Sequence, residues 1–223
     1  MHRSSFYVAI ALAVGSAGAC RTSPSAGHAP PVIRPGAPGQ QSTVVTGAGR
    51  QDVPQATAAD VKFMQGMIHH HAQALDMVDL LEKNSNDADM KKLGLKIHVS
   101  QTDEIKMMQR WLQSRGQEAP DPRAHHMADM PGMEGMDHDV MMPGMLTKAE
   151  MARLAAAKGA EFDRLFLEGM IKHHSGALTM VADLFATAGA AQGSEIFAFA
   201  SDVDADQRME IDRMSAMLKE LQK

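Results

Sequence analysis

DVKFMQGMIHHHAQALDMV at residues 60–78 and DRLFLEGMIKHHSGALTMV at residues 163–181 are two copies of one pattern, set 103 residues apart. Phe63, Gly66, Met67, Ile68, His70, His71, Ala74, Leu75, Met77 and Val78 recur as Phe166, Gly169, Met170, Ile171, His173, His174, Ala177, Leu178, Met180 and Val181. The apolar positions return at helical spacing, so each copy reads as an amphipathic helix. A fainter echo follows each copy. Gln101, Glu104, Ile105, Met108 and Leu112 correspond to Gln207, Glu210, Ile211, Met214 and Leu218. A repeat of this length predicts two equivalent αα-hairpins. Strand signals are absent, and the class expected is all-α, with the hairpins packed as a four-helix bundle.

Helix ends follow from local chemistry. Thr57 with Asp60 and Thr147 with Glu150 have capping-box spacing and open the first and third helices. The second helix is expected from near Asn86 to before Gly116, the third from about Lys148 to Thr187, and the fourth from Gly193-Ser194 onward. The folded part then comprises a first hairpin at 57–116, a linker at 117–146 and a second hairpin at 147–223.

On a helical wheel with Met67 at zero, His71 falls at about 40°, His70 at about -60° and Met77 at about -80°. His69 falls nearly opposite, and its counterpart is Lys172, so both are expected to face solvent. Met170, His173, His174 and Met180 take the same places in the second copy. Imidazole suits copper, zinc, iron and nickel, whereas thioether selects soft ions such as Cu(I). One helical face can present two His and two Met toward a shared point. Asp60 and Asp163 lie on the same stripe about three turns earlier, as candidate supporting carboxylates. The competing reading is that the Met are ordinary core and the His are satisfied by hydrogen bonds within the bundle.

The linker is harder to explain by packing. Residues 125–145 hold seven Met and three His. Met127, Met130, Met133 and Met136 recur every third residue beside His125, His126 and His138, and Pro131, Gly132, Gly135, Pro143 and Gly144 break any packed helix. A soft-donor tract suits capture of Cu(I) or Ag(I). An oxidisable sacrificial tract and plain low complexity compete with that reading.

Residues 1–20 read as an export signal, with His2-Arg3 followed by an apolar run, Phe6 to Val14, too short to span a bilayer. Ala17-Gly18-Ala19-Cys20 resembles a lipobox with Ala17 where Leu is usual, which makes Cys20 the expected lipidation site. An ordinary signal peptide with an incidental Cys is the other reading. Residues 21–56 are rich in Pro, Gly, Ser and Ala and read as a disordered tether. Cys20 is the only cysteine, so an intrachain disulfide is excluded. The net charge of -5 carries no basic face, which argues against nucleic acid as a partner. Metal ions are the expected partners, with membrane contact through the lipid alone.

The paired Met-Ile-x-His-His motifs, the Gln-x-x-Glu-Ile second helices and the Pro-Gly-Met-Leu-Thr entry to the third helix resemble the bacterial domain-of-unknown-function family 305. The resemblance covers roughly residues 57–222. It implies a ferritin-like four-helix bundle, an envelope location and, for some members, copper binding and copper tolerance. Its matching positions are Met67, His70, His71 and Met77, then Met170, His173, His174 and Met180. Gln73 against Gly176 is a departure between the two copies.

Three functions are compatible with these observations. The first is a non-enzymatic periplasmic or envelope protein that sequesters copper, with Cu(I) favoured and Cu(II) or Ag(I) as alternatives. The second is a ferritin-like metalloenzyme such as an oxidase, although neither His pair has a Glu three residues before it. The third is an interaction module that binds no metal.

Overall fold

The computed structural model describes residues 32–34, 43–45, 55–122 and 141–221. The chain divides into two units, residues 1–51 and 52–223. In the first, strands β1 (Val32–Arg34) and β2 (Thr43–Val45) pair antiparallel, with Val32 opposite Val45 and Ile33 opposite Val44. This departs from the reading of 21–56 as a tether without regular structure. The two strands draw on the β-branched residues of that segment, which favour a pleated backbone.

The second unit is helical throughout its described elements: α1 (Ala58–Asn84), α2 (Ala88–Gln113), α3 (Lys148–Ala156), α4 (Gly159–Ala186) and α5 (Ser194–Leu221). The capping boxes at Thr57/Asp60 and Thr147/Glu150 form as expected, each with both reciprocal hydrogen bonds. Asp87 caps α2 by accepting from the Asp89 and Met90 amides. The segment read as one helix from 148 to 187 is broken. Ala157 and Lys158 are extended, and Gly159 has φ +56°. Lys158 Nζ bonds Asn84 Oδ1, and Asn84 Nδ2 donates to Ala155 O, so the end of α1 fixes the interruption. α4 thereby spans the same part of the repeat as α1, and α3 is an addition to the second half.

α1 packs against α2, α4 against α5, and α1 against α4. The core falls into two clusters. One joins Phe63, Met67 and Ile68 of α1 with Ile105, Met108 and Trp111 of α2, Ala177, Val181 and Leu184 of α4, and Phe199 and Val203 of α5. The other joins Ala74, Met77 and Leu81 with Leu93 and Ile97, then Phe162, Phe166 and Met170 with Met214. The early part of α1 thus meets the late part of α4, so these helices run antiparallel. Full burial of each such side chain contributes roughly 1.5–3 kcal/mol. Between the clusters α1, α2, α4 and α5 all change character at once. His70, His71, Gln101, His173, His174, Gln207 and Glu210 are buried there, and Glu104 lies with them. No helix among the described residues is long and apolar enough to cross a membrane.

A candidate metal centre in a buried histidine layer

The layer is built by the repeat, and its four histidines are fully buried. The rings of His70 and His173 meet across the α1–α4 interface with centroids 3.8 Å apart and planes at 38°. His70 Nε2 donates to Pro143 O at 3.0 Å, and His173 Nε2 donates to His70 O at 2.9 Å. The outer pair uses carboxylates instead: His71 Nε2 donates to Glu104 Oε2 at 2.5 Å, and His174 Nε2 to Glu210 Oε2 at 2.7 Å. Glu104 and Glu210 come from the second helix of each hairpin. They were visible in the sequence only as a repeated Gln-x-x-Glu and were not read there as site residues.

These bonds decide which nitrogen is bare. A carbonyl oxygen only accepts, so Nε2 of His70 and His173 carries the proton. Burial pushes the His70 imidazolium down to about 3, helped by the neighbouring His71. Burial and the adjacent His70 and His174 likewise hold His173 well below its ordinary value. Both rings are therefore neutral at pH 7, and each Nδ1 is a lone pair. All four Nδ1 atoms are buried without a hydrogen-bond partner among the described residues. Burial opposes ionisation of Glu210, but its hydrogen bond with His174, joined by Lys96 at 3.4 Å, outweighs it and holds the carboxyl low. A metal-binding imidazole characteristically gives its second nitrogen to a carboxylate or carbonyl, which fixes the ring and raises ligand basicity. Each of the four histidines has that second bond in place.

A strap crosses the layer. Residues 141–147 run along the groove between α1 and α4. Pro143 O meets His70, and Gln73 grips Leu146 at both ends, accepting from its amide (2.7 Å) and donating to its carbonyl (2.9 Å). On α4 the strap lies directly on Gly176, where a Cβ would stand 1.9 Å from Pro143 O. The mismatch of Gln73 against Gly176 between the copies is thus the seat of the strap. Gly144 crosses there with φ +78°.

Other residues singled out by sequence fall in several places. Met67 packs in the first cluster, Met77 and Met170 in the second, and Met180 is half-buried beside the first. The thioethers therefore flank the layer rather than converge on one point. Among the described residues, no three His, Cys, Asp or Glu side chains form a group that could hold a metal ion. The two His pairs do come together across the α1–α4 interface, where the inner rings lie 3.8 Å apart with planes tilted at 38° and their Nε2 atoms tied to carbonyls. Lys172 is exposed and pairs with Glu150, whereas His69 is half-buried, not solvent-facing as the wheel suggested.

Asp60 and Asp163 do not touch the histidines. Asp60 accepts from Thr57 N and from Ala191 N, tying the start of α1 to the α4–α5 turn. Asp163 answers it at the other end, bonded to Ser85 in the α1–α2 turn; burial, with the nearby Asp87, raises its carboxyl. Cys20, His125, His126, Met127, Met130, Met133, Met136 and His138 lie outside the described residues.

Fold and site together define a helical-hairpin protein with a buried imidazole layer. The chain belongs to the family described as Domain of unknown function (DUF305), whose model matches residues 60–218. A crystal structure of a DUF305 fragment from Deinococcus radiodurans is 30% identical, covers 75% of this chain and 99% of its own, and superposes with a TM-score of 0.61. CopM in its Cu(II)-bound form is 28% identical, covers 72% and 96% respectively, and has a TM-score of 0.55. CopM is also known in Cu(I)-bound and Ag-bound forms, at 25% and 27% identity over the same shares, with TM-scores of 0.53 and 0.52. No significant match exists among curated proteins.

Proposed function

We propose that this protein is an exported, non-enzymatic binding protein of the bacterial envelope that sequesters or buffers copper and so contributes to copper tolerance. The observation that carries the reading is the set of four buried imidazoles with Nε2 engaged and Nδ1 bare. His70, His71, His173 and His174 are the nitrogen donors, with Met67, Met77, Met170 and Met180 as adjacent thioethers. Cu(I) is favoured, with Cu(II) and Ag(I) as alternatives. Thioether is a soft donor that selects Cu(I) among these ions, which suits imidazoles flanked by methionines. The hairpins serve as a ferritin-like four-helix bundle, and the Met/His tract at 125–138 acts as a second, looser capture element. A lipid on Cys20 is the proposed membrane attachment. CopM, a relative solved with Cu(II), Cu(I) and Ag, supports the copper reading.

The test is a titration of the mature protein with Cu(I) against a competing chelator, and with Ag(I) by calorimetry. High-affinity binding that is lost when all four histidines become Ala, in a variant still helical by circular dichroism, is the expected result. Absence of binding would return the protein to the interaction-module reading. Catalytic turnover of copper with oxygen would favour an oxidase.

A further inference from the structure

The strap brings to the layer a methionine that the repeat does not contain. Gly66 of α1 and Gly169 of α4 are equivalent, and each is covered by the equivalent Met of the opposite helix. Met77 Cε lies 3.2 Å from where a Gly169 Cβ would stand, and Met180 Cε lies 3.5 Å from that of Gly66. The strap supplies the third group at both places. At Gly169 it is Leu146 Cδ2 at 3.1 Å; at Gly66 it is Met142 Sδ at 3.2 Å. The two spots differ in kind. Met77 and Leu146 are buried, which makes an apolar plug. Met142 and Met180 are half-buried, and the Met142 sulfur and the Met180 methyl end both lie over the bare backbone of Gly66.

We propose that Met142 and Met180 form a thioether site for a soft monovalent d10 ion, Cu(I) or Ag(I), seated over Gly66 where the Met-rich linker joins the helices. Thioethers are soft, neutral donors that select such ions over hard cations. Methionine is unbranched and flexible, so two of them from separate elements close on an ion without moving the backbone. Gly66 leaves the space that any side chain would fill. The site has neighbours on both sides. The tract precedes Met142 in sequence, and His70 lies one helical turn beyond Gly66, its Nε2 bonded to the residue after Met142. In sequence, Met142 thus joins the tract to Pro143, the residue that holds His70. The inference rests on the soft-metal reading above, but it adds a residue, Met142, that the reading does not use.

The experiment titrates Ag(I), a redox-inert d10 probe, into the full chain and counts bound ions by native mass spectrometry. Met142→Leu and Met180→Leu keep volume and apolarity while removing sulfur. Each single variant should lose the same one ion, and the double variant no more than either. Gly66→Ala removes no donor but crowds Met142 Sδ, and it should lose that ion too. Met209→Leu, on an exposed face of α5, should keep the wild-type count. With 13C-methyl methionine, the Met142 and Met180 signals should move together during titration. A wild-type count in Met142→Leu, or additive losses in the double variant, would overturn the shared site while leaving the histidine layer standing. A wild-type protein that binds no Ag(I) would overturn both.

Discussion

His70 and His173 are joined twice: their ring centroids lie 3.8 Å apart, and the His173 ring donates to the backbone carbonyl of His70. The first contact sets how closely α1 and α4 approach. The second fixes the tautomer of His173, as Pro143 fixes that of His70. Replacing either ring therefore alters helix packing and ligand geometry together. Informative perturbations act instead through protons, through the strap, or through the groups that hold Nε2.

Protons give the first prediction. The folded state holds His70 down to about 3 and His173 well below its ordinary value, chiefly by burial. An unfolded His takes up a proton near pH 6.5. Below that pH the unfolded state binds more protons, so stability falls with falling pH, and above it these groups add no pH dependence. The loss approaches about 1.4 kcal/mol per pH unit for each ring, levelling off for His70 near pH 3. Glu210, held low, adds loss in the same direction as pH falls through the carboxylate range. Urea unfolding of the metal-free protein at pH 7.5, 6 and 5 checks this, and a flat profile contradicts it. The same depression shields Nδ1 from proton competition. Metal held by these rings should survive below pH 6.5, where an ordinary imidazole would release it.

The layer was largely legible in the sequence, because the repeat and its helical phase singled out the buried His and separated Lys172 from them. Glu104 and Glu210 were legible only as a recurring pair. Periodicity ranks positions within one helix and is silent on which carboxylate faces which ring across an interface. The break at Ala157–Lys158 was hidden for a similar reason. Its flanks are good helix formers, and Asn84, more than seventy residues away, holds it open. The mismatch of Gln73 and Gly176 was visible but had no meaning until the strap supplied one.

The strap should reverse an ordinary rule. Gly in mid-helix is less favourable than Ala by roughly 0.5–1 kcal/mol, so Gly→Ala usually stabilises. At Gly176 the new Cβ would stand 1.9 Å from Pro143 O, a backbone atom that cannot swing aside. Gly176→Ala should therefore lower Tm and expose the Leu146 amide to hydrogen exchange. Gln73→Leu should give the same exchange signature, since it strands the buried Leu146 amide and carbonyl at about 1–3 kcal/mol each. An unchanged Leu146 amide in both variants would mean that the strap is held by other contacts.

Asp60 separates architecture from binding. Its two oxygens accept from the Thr57 and Ala191 amides, at 2.8 and 2.7 Å. Asp60→Ala should cost about 1–3 kcal/mol in chemical denaturation, because buried donors lose their acceptor. Bound copper per chain should stay at the wild-type value. A fall in copper stoichiometry at full helicity would restore Asp60 to the metal centre.

Glu104 and Glu210 test the centre most directly. Each holds the Nε2 of an outer histidine, and a carboxylate there orients the ring and makes Nδ1 a better donor. Glu104→Gln and Glu210→Gln keep size and one acceptor oxygen but remove the charge. The number of ions bound should stay constant while affinity drops by about 10–100-fold, the usual range for such supporting groups. The two variants should not be equal. The Glu210 side chain is only 5% exposed, whereas that of Glu104 is 22% exposed, and solvent and salt screen the more open pair more strongly. Glu210→Gln should therefore show the larger loss, and added salt should narrow the Glu104 difference from wild type more than the Glu210 difference. Competition titrations with Ag(I) at low and high salt measure both. If neither variant changes affinity, the ions are not bound by His71 and His174, and the tract or the methionines must carry the binding.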